Sequence, residues 1–130
     1  MTSPEIVVKD LYGALGRGDV PALLALLAPE LAWTEAEGFP YSSGTWRSPE
    51  EVLTKLLIPL QRDWDDFTVS SEETVSAGDT VVSFGAYAGT AKATGKRMRA
   101  PFAHRWQVHG GKIVRFDMYT DTLLVHRAMT

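Results

Sequence analysis

RMRAPFAHRWQVHGGKIVRFDMYT, residues 97–120, is the stretch whose reading decides the fold. Met98, Ala100, Phe102, His104, Trp106 and Val108 fall on one side of a period of two. Arg99, Pro101, Ala103, Arg105, Gln107 and His109 fall on the other. The first set is apolar apart from His104, so this is a strand with one face toward a core or cavity. Gly110-Gly111 supplies the positive φ angles of a two-residue hairpin, which makes Lys112–Thr120 the antiparallel partner. Two registers are open. An unbroken ladder sets His104 opposite Asp117, whereas a bulge after Ile113 turns Phe116 and Met118 inward. The apolar pattern favours the bulge, because Ile113, Phe116 and Met118 cannot share a face without one.

Toward the N-terminus, Phe67–Ser76 and Thr80–Thr90 carry the same period around Ala77-Gly78-Asp79. Before them the period is helical. Ile6, Val7, Leu11, Ala14 and Leu15 mark a first helix ended by Gly16 and Gly18. Asp19 caps a second, with Pro21 in its first turn, Leu23, Leu24, Leu26 and Leu27 as its apolar face and Pro29 as its stop. Leu31–Ala36 reads as a short strand with Leu31, Trp33 and Glu35 on one face, followed by a loop over Glu37–Arg47. Ser48-Pro49-Glu50-Glu51 is a capping box opening a third helix, which Pro59 should kink or end. Asp121-Thr122 starts a last short helix. The order α-α-β-α-β-β-β-β predicts an α+β fold in one domain, residues 1–130. Its strongly curved antiparallel sheet would wrap around the N-terminal helices and enclose a conical cavity.

The chain has no cysteine and no asparagine, which excludes disulfides, thiolate metal sites, a cysteine nucleophile and N-glycosylation. No apolar run reaches the ~20 residues of a membrane span, and the first residues lack the pattern of a signal peptide. A cytoplasmic protein with no membrane partner is expected. The net charge of −3 conceals a division: residues 1–79 carry 5 Lys/Arg against 14 Asp/Glu, residues 80–130 carry 8 against 2. The basic residues alternate along strands without an aromatic RNA-binding motif or a phosphate loop, so no nucleic-acid partner is expected. No His/Asp/Glu spacing suits a metal, and neither a dinucleotide fingerprint nor a serine-nucleophile elbow is present. The expected cofactors are none.

Three residues are candidates for chemistry. His104 is the lone polar residue of its face, either a hydrogen-bonded core histidine or an acid–base group. Glu35 shares a face with Leu31 and Trp33. It either faces water at the start of a loop or sits in a half-dry site with a raised pKa, as a general base needs. Asp117 would orient His104 if the ladder ran unbroken. Asp121 has a simpler task as a helix cap. Trp33, Tyr41, Trp46 and Trp106 are candidate pocket walls, with Met118 beside them if the bulge is present. Phe39, Tyr41 and Trp46 stand in the loop that would cover a pocket.

The segments LYGALGRGDVPALLALLAPELAW, GFPYSSGTWRSPEEV and APFAHRWQVHGGKIVRFDMYTDT resemble SnoaL-like proteins of the ketosteroid-isomerase and nuclear transport factor 2-like superfamily. The resemblance implies a cone-shaped α+β barrel that dimerises through its outer sheet face. It places Glu35 where ketosteroid isomerases hold their general base. It aligns their oxyanion-hole tyrosine with Leu11 and their protonated aspartate with Ala103. The last-strand aspartate of SnoaL-type cyclases and limonene-epoxide hydrolases falls on Met118, next to Asp117, and His104 resembles the cyclases' cavity histidine. The expectation is a cofactor-free acid–base enzyme of isomerase, cyclase or dehydratase type. It would act on a small apolar carbonyl, polyketide-like or steroid-like molecule. The alternative is a non-catalytic apolar-ligand-binding or dimerising accessory protein.

Overall fold

The structure, a computed structural model, describes residues 3–130. Helix α1 (Pro4–Arg17) starts where the Ser3 side chain accepts the Ile6 N–H and stops at Gly18, whose φ of 68° is left-handed. Val7, Val8, Leu11 and Ala14 form its buried face, while Ile6, expected inside, is half exposed. Asp19 caps the short α2 (Val20–Ala25) by accepting the Ala22 N–H. The chain is already extended at β1 (Leu27–Thr34), so Pro29 lies within a strand and does not end a helix. Its missing N–H costs nothing there, because the ladder between β1 and β6 skips from Leu27 to Ala32.

A two-residue strand, β2 (Thr45–Trp46), precedes α3 (Pro49–Val52), a π turn (Leu53–Leu57) and α4 (Ile58–Asp63). Ser48 caps α3 as expected, accepting the Glu51 N–H. Pro59 does not end the helix. The wider π turn precedes it, and the helix continues to Asp63.

Strands β3 (Trp64–Ala77), β4 (Thr80–Ala91), β5 (Arg97–His109) and β6 (Lys112–Thr120) follow, and α5 (Thr122–Met129) closes the chain behind its Asp121 cap. The sheet order is β2-β1-β6-β5-β4-β3, antiparallel except for the parallel β1–β6 pair. Helix α1 lies across the inner face against β3, β4, β5 and β6.

Gly110 and Gly111, at φ 58° and 75°, make the expected tight turn, with His109 opposite Lys112. The bulge falls after Ile113. Val108 pairs with Ile113 and Gln107 with Arg115, leaving Val114 as the extra residue. Further register shifts in β3, near Asp65–Thr68 and Ser71–Glu73, help the sheet to curl. Gly85 permits the tightest approach, since a Cβ there would stand 1.9 Å from the Ser70 carbonyl oxygen and 2.8 Å from the Phe102 ring.

Candidate active site

The curled sheet and its helices enclose a cavity of about 460 Å³. Its deep wall is Trp33, Glu35, His104, Trp106 and Phe116, all buried. Less buried residues, Leu15 and Gly16 of α1, Leu57 and Leu60 around the π turn, and Thr68 and Ser70 of β3, line its outer part.

Glu35 stands one residue beyond β1, on the face that carries Leu31 and Trp33, and is only 5% exposed. Alternation along the strand puts it inside, because a residue two positions after Trp33 shares its face. The Trp33 indole donates to Glu35 Oε2 at 3.3 Å, and no Lys or Arg pairs with the carboxyl. Burial therefore pushes its pKa up to about 8, partly offset by the indole hydrogen bond. A carboxyl group that titrates near neutrality can take up or give back a proton at little cost.

His104 is 3% exposed and is held at both ring nitrogens. Tyr12 Oη shares a hydrogen bond with Nδ1 at 2.6 Å, and Tyr87 Oη with Nε2 at 2.5 Å. The imidazole stacks on Phe102, with centroids 3.8 Å apart and planes at 9°. Burial lowers its pKa to about 3, so it is a neutral imidazole carrying one N–H. Trp106 Nε1 donates to Tyr12 Oη at 3.1 Å, and burial raises the Tyr12 pKa to about 12. The Tyr87 phenol is raised too, first by burial and then by the nearby Glu35 and Tyr12.

Asp117 is not part of this group. The Val114 bulge sets Met118, not Asp117, opposite His104 and turns Asp117 to the outer face. There its Oδ2 accepts from Arg105 at 2.8 Å and from Arg115 at 2.9 Å. Met118 is buried beside His104 in the sheet but does not reach the cavity wall. Tyr41 and Trp46 also stand off the wall. Tyr41 donates to Asp63 Oδ2 at 2.9 Å and accepts from Trp64 Nε1 at 3.0 Å, which pins the loop to α4 and β3. Trp46 pairs with Trp33 in the β1–β2 ladder and donates to Ser43 Oγ at 2.8 Å. The loop reaches the cavity through Phe39 instead. Of the expected site residues, Glu35, His104, Trp33 and Trp106 converge.

Tyr12 and Tyr87 were not singled out in the sequence. Tyr12 carried a usable signal, because Val8, Leu11, Tyr12 and Leu15 follow helical spacing and place it beside Leu11 on the inner face. Tyr87 lies on the parity of Val81 and Ser83, which the ladder sets against Trp106 and His104. Among the described residues, no three His, Asp or Glu side chains gather in a way that could hold a metal ion. No helix among them is long and apolar enough to cross a membrane.

Residues 8–116 match the model of the SnoaL-like domain family. The chain belongs to that family. An NTF2-like protein from Burkholderia thailandensis is 43% identical to it, with a TM-score of 0.96 over 100% of this chain and 99% of the other. An NTF2-like protein from Burkholderia pseudomallei is 27% identical, with a TM-score of 0.90 over 100% and 99% of the two chains. TerC, crystallised with polyporic acid, is 24% identical, with a TM-score of 0.86 over 98% of each chain, and shares the fold. A comparison with curated protein sequences yields no match. The SnoaL-like chain thus has the fold of the NTF2-like proteins, with helices on a six-stranded curved sheet.

Proposed function

We propose that this SnoaL-like protein is a small-molecule acid–base enzyme of isomerase, cyclase or dehydratase type. Its substrate would be an apolar molecule with a carbonyl group, of polyketide-like or steroid-like character. The observation that carries the reading is Glu35, a buried carboxyl without a cationic partner, set in a cavity walled by Trp33, Phe39, Trp106 and Phe116. Such a wall suits a flat apolar ligand, and the cavity volume lies in the range of small-molecule sites. The co-crystallisation of TerC with polyporic acid supports a ligand of this kind in this fold.

In this scheme Glu35 takes a proton from carbon next to the substrate carbonyl. It then returns the proton at a second carbon, or leaves the carbanion to attack. His104 exchanges no proton directly with substrate, because both ring nitrogens are engaged by tyrosines. It acts through Tyr12 and Tyr87, and no cofactor enters.

A dimer through the outer sheet face belongs to the same proposal. Phe84, Ala103 and Tyr119 stand side by side on that face across β4, β5 and β6, with Phe84 43% and Tyr119 56% exposed. This face also favours the second reading, an accessory subunit that dimerises and binds an apolar ligand without turning it over.

Deuterium exchange into 2-tetralone, an enolisable aromatic ketone, separates the two. Wild-type protein should catalyse exchange at the carbons next to the carbonyl. Glu35→Gln should reduce the rate at least about 100-fold while still binding the ketone. Exchange by Glu35→Gln at the wild-type rate, or no exchange by either protein, favours the binding reading.

A further inference from the structure

We infer that the Tyr87 hydroxyl is the hydrogen-bond donor to the ligand's carbonyl oxygen. It is set in that direction by a one-way chain from Trp106 through Tyr12 and His104. The inference rests on the acid–base reading for its chemistry, but its test is a binding measurement.

The direction follows from counting protons. An indole N–H can only donate, so the bond from Trp106 to Tyr12 Oη has a fixed sense. His104 lies buried between two phenols, with no carboxylate bonded to it, and so carries a single N–H. Two wirings remain. In the first, Tyr12 donates to Nδ1 and Nε2 donates to Tyr87 Oη. Each N–H and O–H along the chain then has an acceptor until Tyr87, whose own proton is left over.

In the second wiring the sense is reversed. Tyr87 donates to Nε2, and Tyr12 accepts from both Nδ1 and Trp106. The Tyr12 proton then needs a new acceptor. The candidate is Ser83 Oγ, which faces inward beside His104 in the ladder. Ser83 Oγ lies near Tyr12, outside the geometry of a well-formed hydrogen bond. Each wiring thus leaves one phenol O–H for a ligand in the cavity, that of Tyr12 in the second and that of Tyr87 in the first. The first is preferred because Tyr87 is the phenol near Glu35, where the carbonyl of a substrate deprotonated by Glu35 would lie.

The first wiring ends on a buried phenol O–H at the cavity wall with no protein acceptor among the described residues. A ligand oxygen completes it. Three successive donations polarise that last O–H and strengthen it as a donor. The chemistry balances with Glu35. As the carboxylate takes the proton from the carbon next to the carbonyl, the C–H electron pair becomes a C=C bond. The carbonyl π pair moves onto oxygen, where the Tyr87 O–H stabilises it. Return of the proton from Glu35 to carbon restores the carbonyl.

The test compares two probes of one shape, 2-acetylnaphthalene and 2-isopropenylnaphthalene, which differ in a C=O against a C=CH2. Binding is read from tryptophan fluorescence, and the bound ketone's carbonyl stretch from infrared difference spectra. Wild-type protein should bind the ketone about ten-fold more tightly than the hydrocarbon and shift its stretch to lower wavenumber. Tyr87→Phe should lose both the preference and the shift, with hydrocarbon affinity within about two-fold of wild type. Ser83→Ala should keep both, since it removes the outlet of the reversed wiring.

Equal affinity for the two probes in the wild type, a carbonyl shift that survives Tyr87→Phe, or its loss in Ser83→Ala would each overturn the inference. Glu35→Gln keeps the ketone preference if the inference holds. A Tyr87-dependent preference in a protein that exchanges no proton would sink the acid–base reading and leave this one standing.

Discussion

Glu35, Ser83 and His104 are the buried polar residues among those described, and all three belong to the inner face of the curled sheet. Each is held differently. His104 has two phenol partners, Glu35 has one indole N–H, and Ser83 has none. The carboxyl is thus the group whose charge the protein supports least. Its pKa is about 8 folded against an ordinary value of 4.5, so the folded state binds the proton more tightly. The stability this contributes is complete below the lower value and is lost as pH rises toward the upper one. Glu35→Gln, which keeps an oxygen for the Trp33 N–H, should match wild type near pH 4. By pH 9 it should exceed wild type by as much as about 4 kcal/mol in urea unfolding. Equal stability of the two proteins at pH 9 would place Glu35 in water. Alternation from Leu31 made this residue legible in the sequence. Asp117 remained a candidate while the register was open, and the bulge that inverts the parity of every residue after it turns Asp117 outward.

At the scale of elements, the long alternation of β5 was readable end to end because only one of its faces is apolar. In β4 both faces are apolar, with Val82 and Phe84 outward and Val81 and Tyr87 inward, so its parity was hidden and Tyr87 with it. Helix α1 brings Tyr12 to His104, a contact between residues 92 apart that no local pattern states. Pro29 did not end a helix, nor did Pro59, and for one reason. Each lies where its missing N–H is not needed, in a gap of a ladder and after a π turn. The bend of β4 against β3 rests on Gly85. Gly85→Ala should cost about 3 kcal/mol or more, because the new methyl meets backbone and cannot be avoided by a rotamer change. Thermal unfolding checks this, and a change under about 0.5 kcal/mol would mean that the two strands lie further apart than described.

For the whole molecule, two buried titrating groups set opposite slopes. His104 is lowered to about 3 from an ordinary value of 6.5, so its contribution is present above 6.5 and is lost as pH falls toward 3. Glu35 acts in the other direction between 4.5 and about 8. The two slopes cancel between 4.5 and 6.5, which predicts a flat stability maximum there, with decline on both sides. Denaturant unfolding across pH 3 to 9 should find it, and His104→Gln should remove the acid slope alone. The outer face makes a second prediction. Wild-type protein should be a dimer by light scattering, and Phe84→Lys with Tyr119→Lys should leave a folded monomer. A wild-type monomer at high concentration would contradict it. Dimerisation was expected only from the family resemblance, because an apolar outer face and an apolar core look alike in sequence.

The central claim is that Glu35 is a proton-transfer group inside a ligand cavity, and a carbon-13 NMR titration of its side-chain carboxyl tests this most directly. The account predicts a pKa near 8 that moves when an apolar ketone is added. A value near 4.5, unchanged by ligand, would contradict it and leave a folded cone with no working acid or base at its centre.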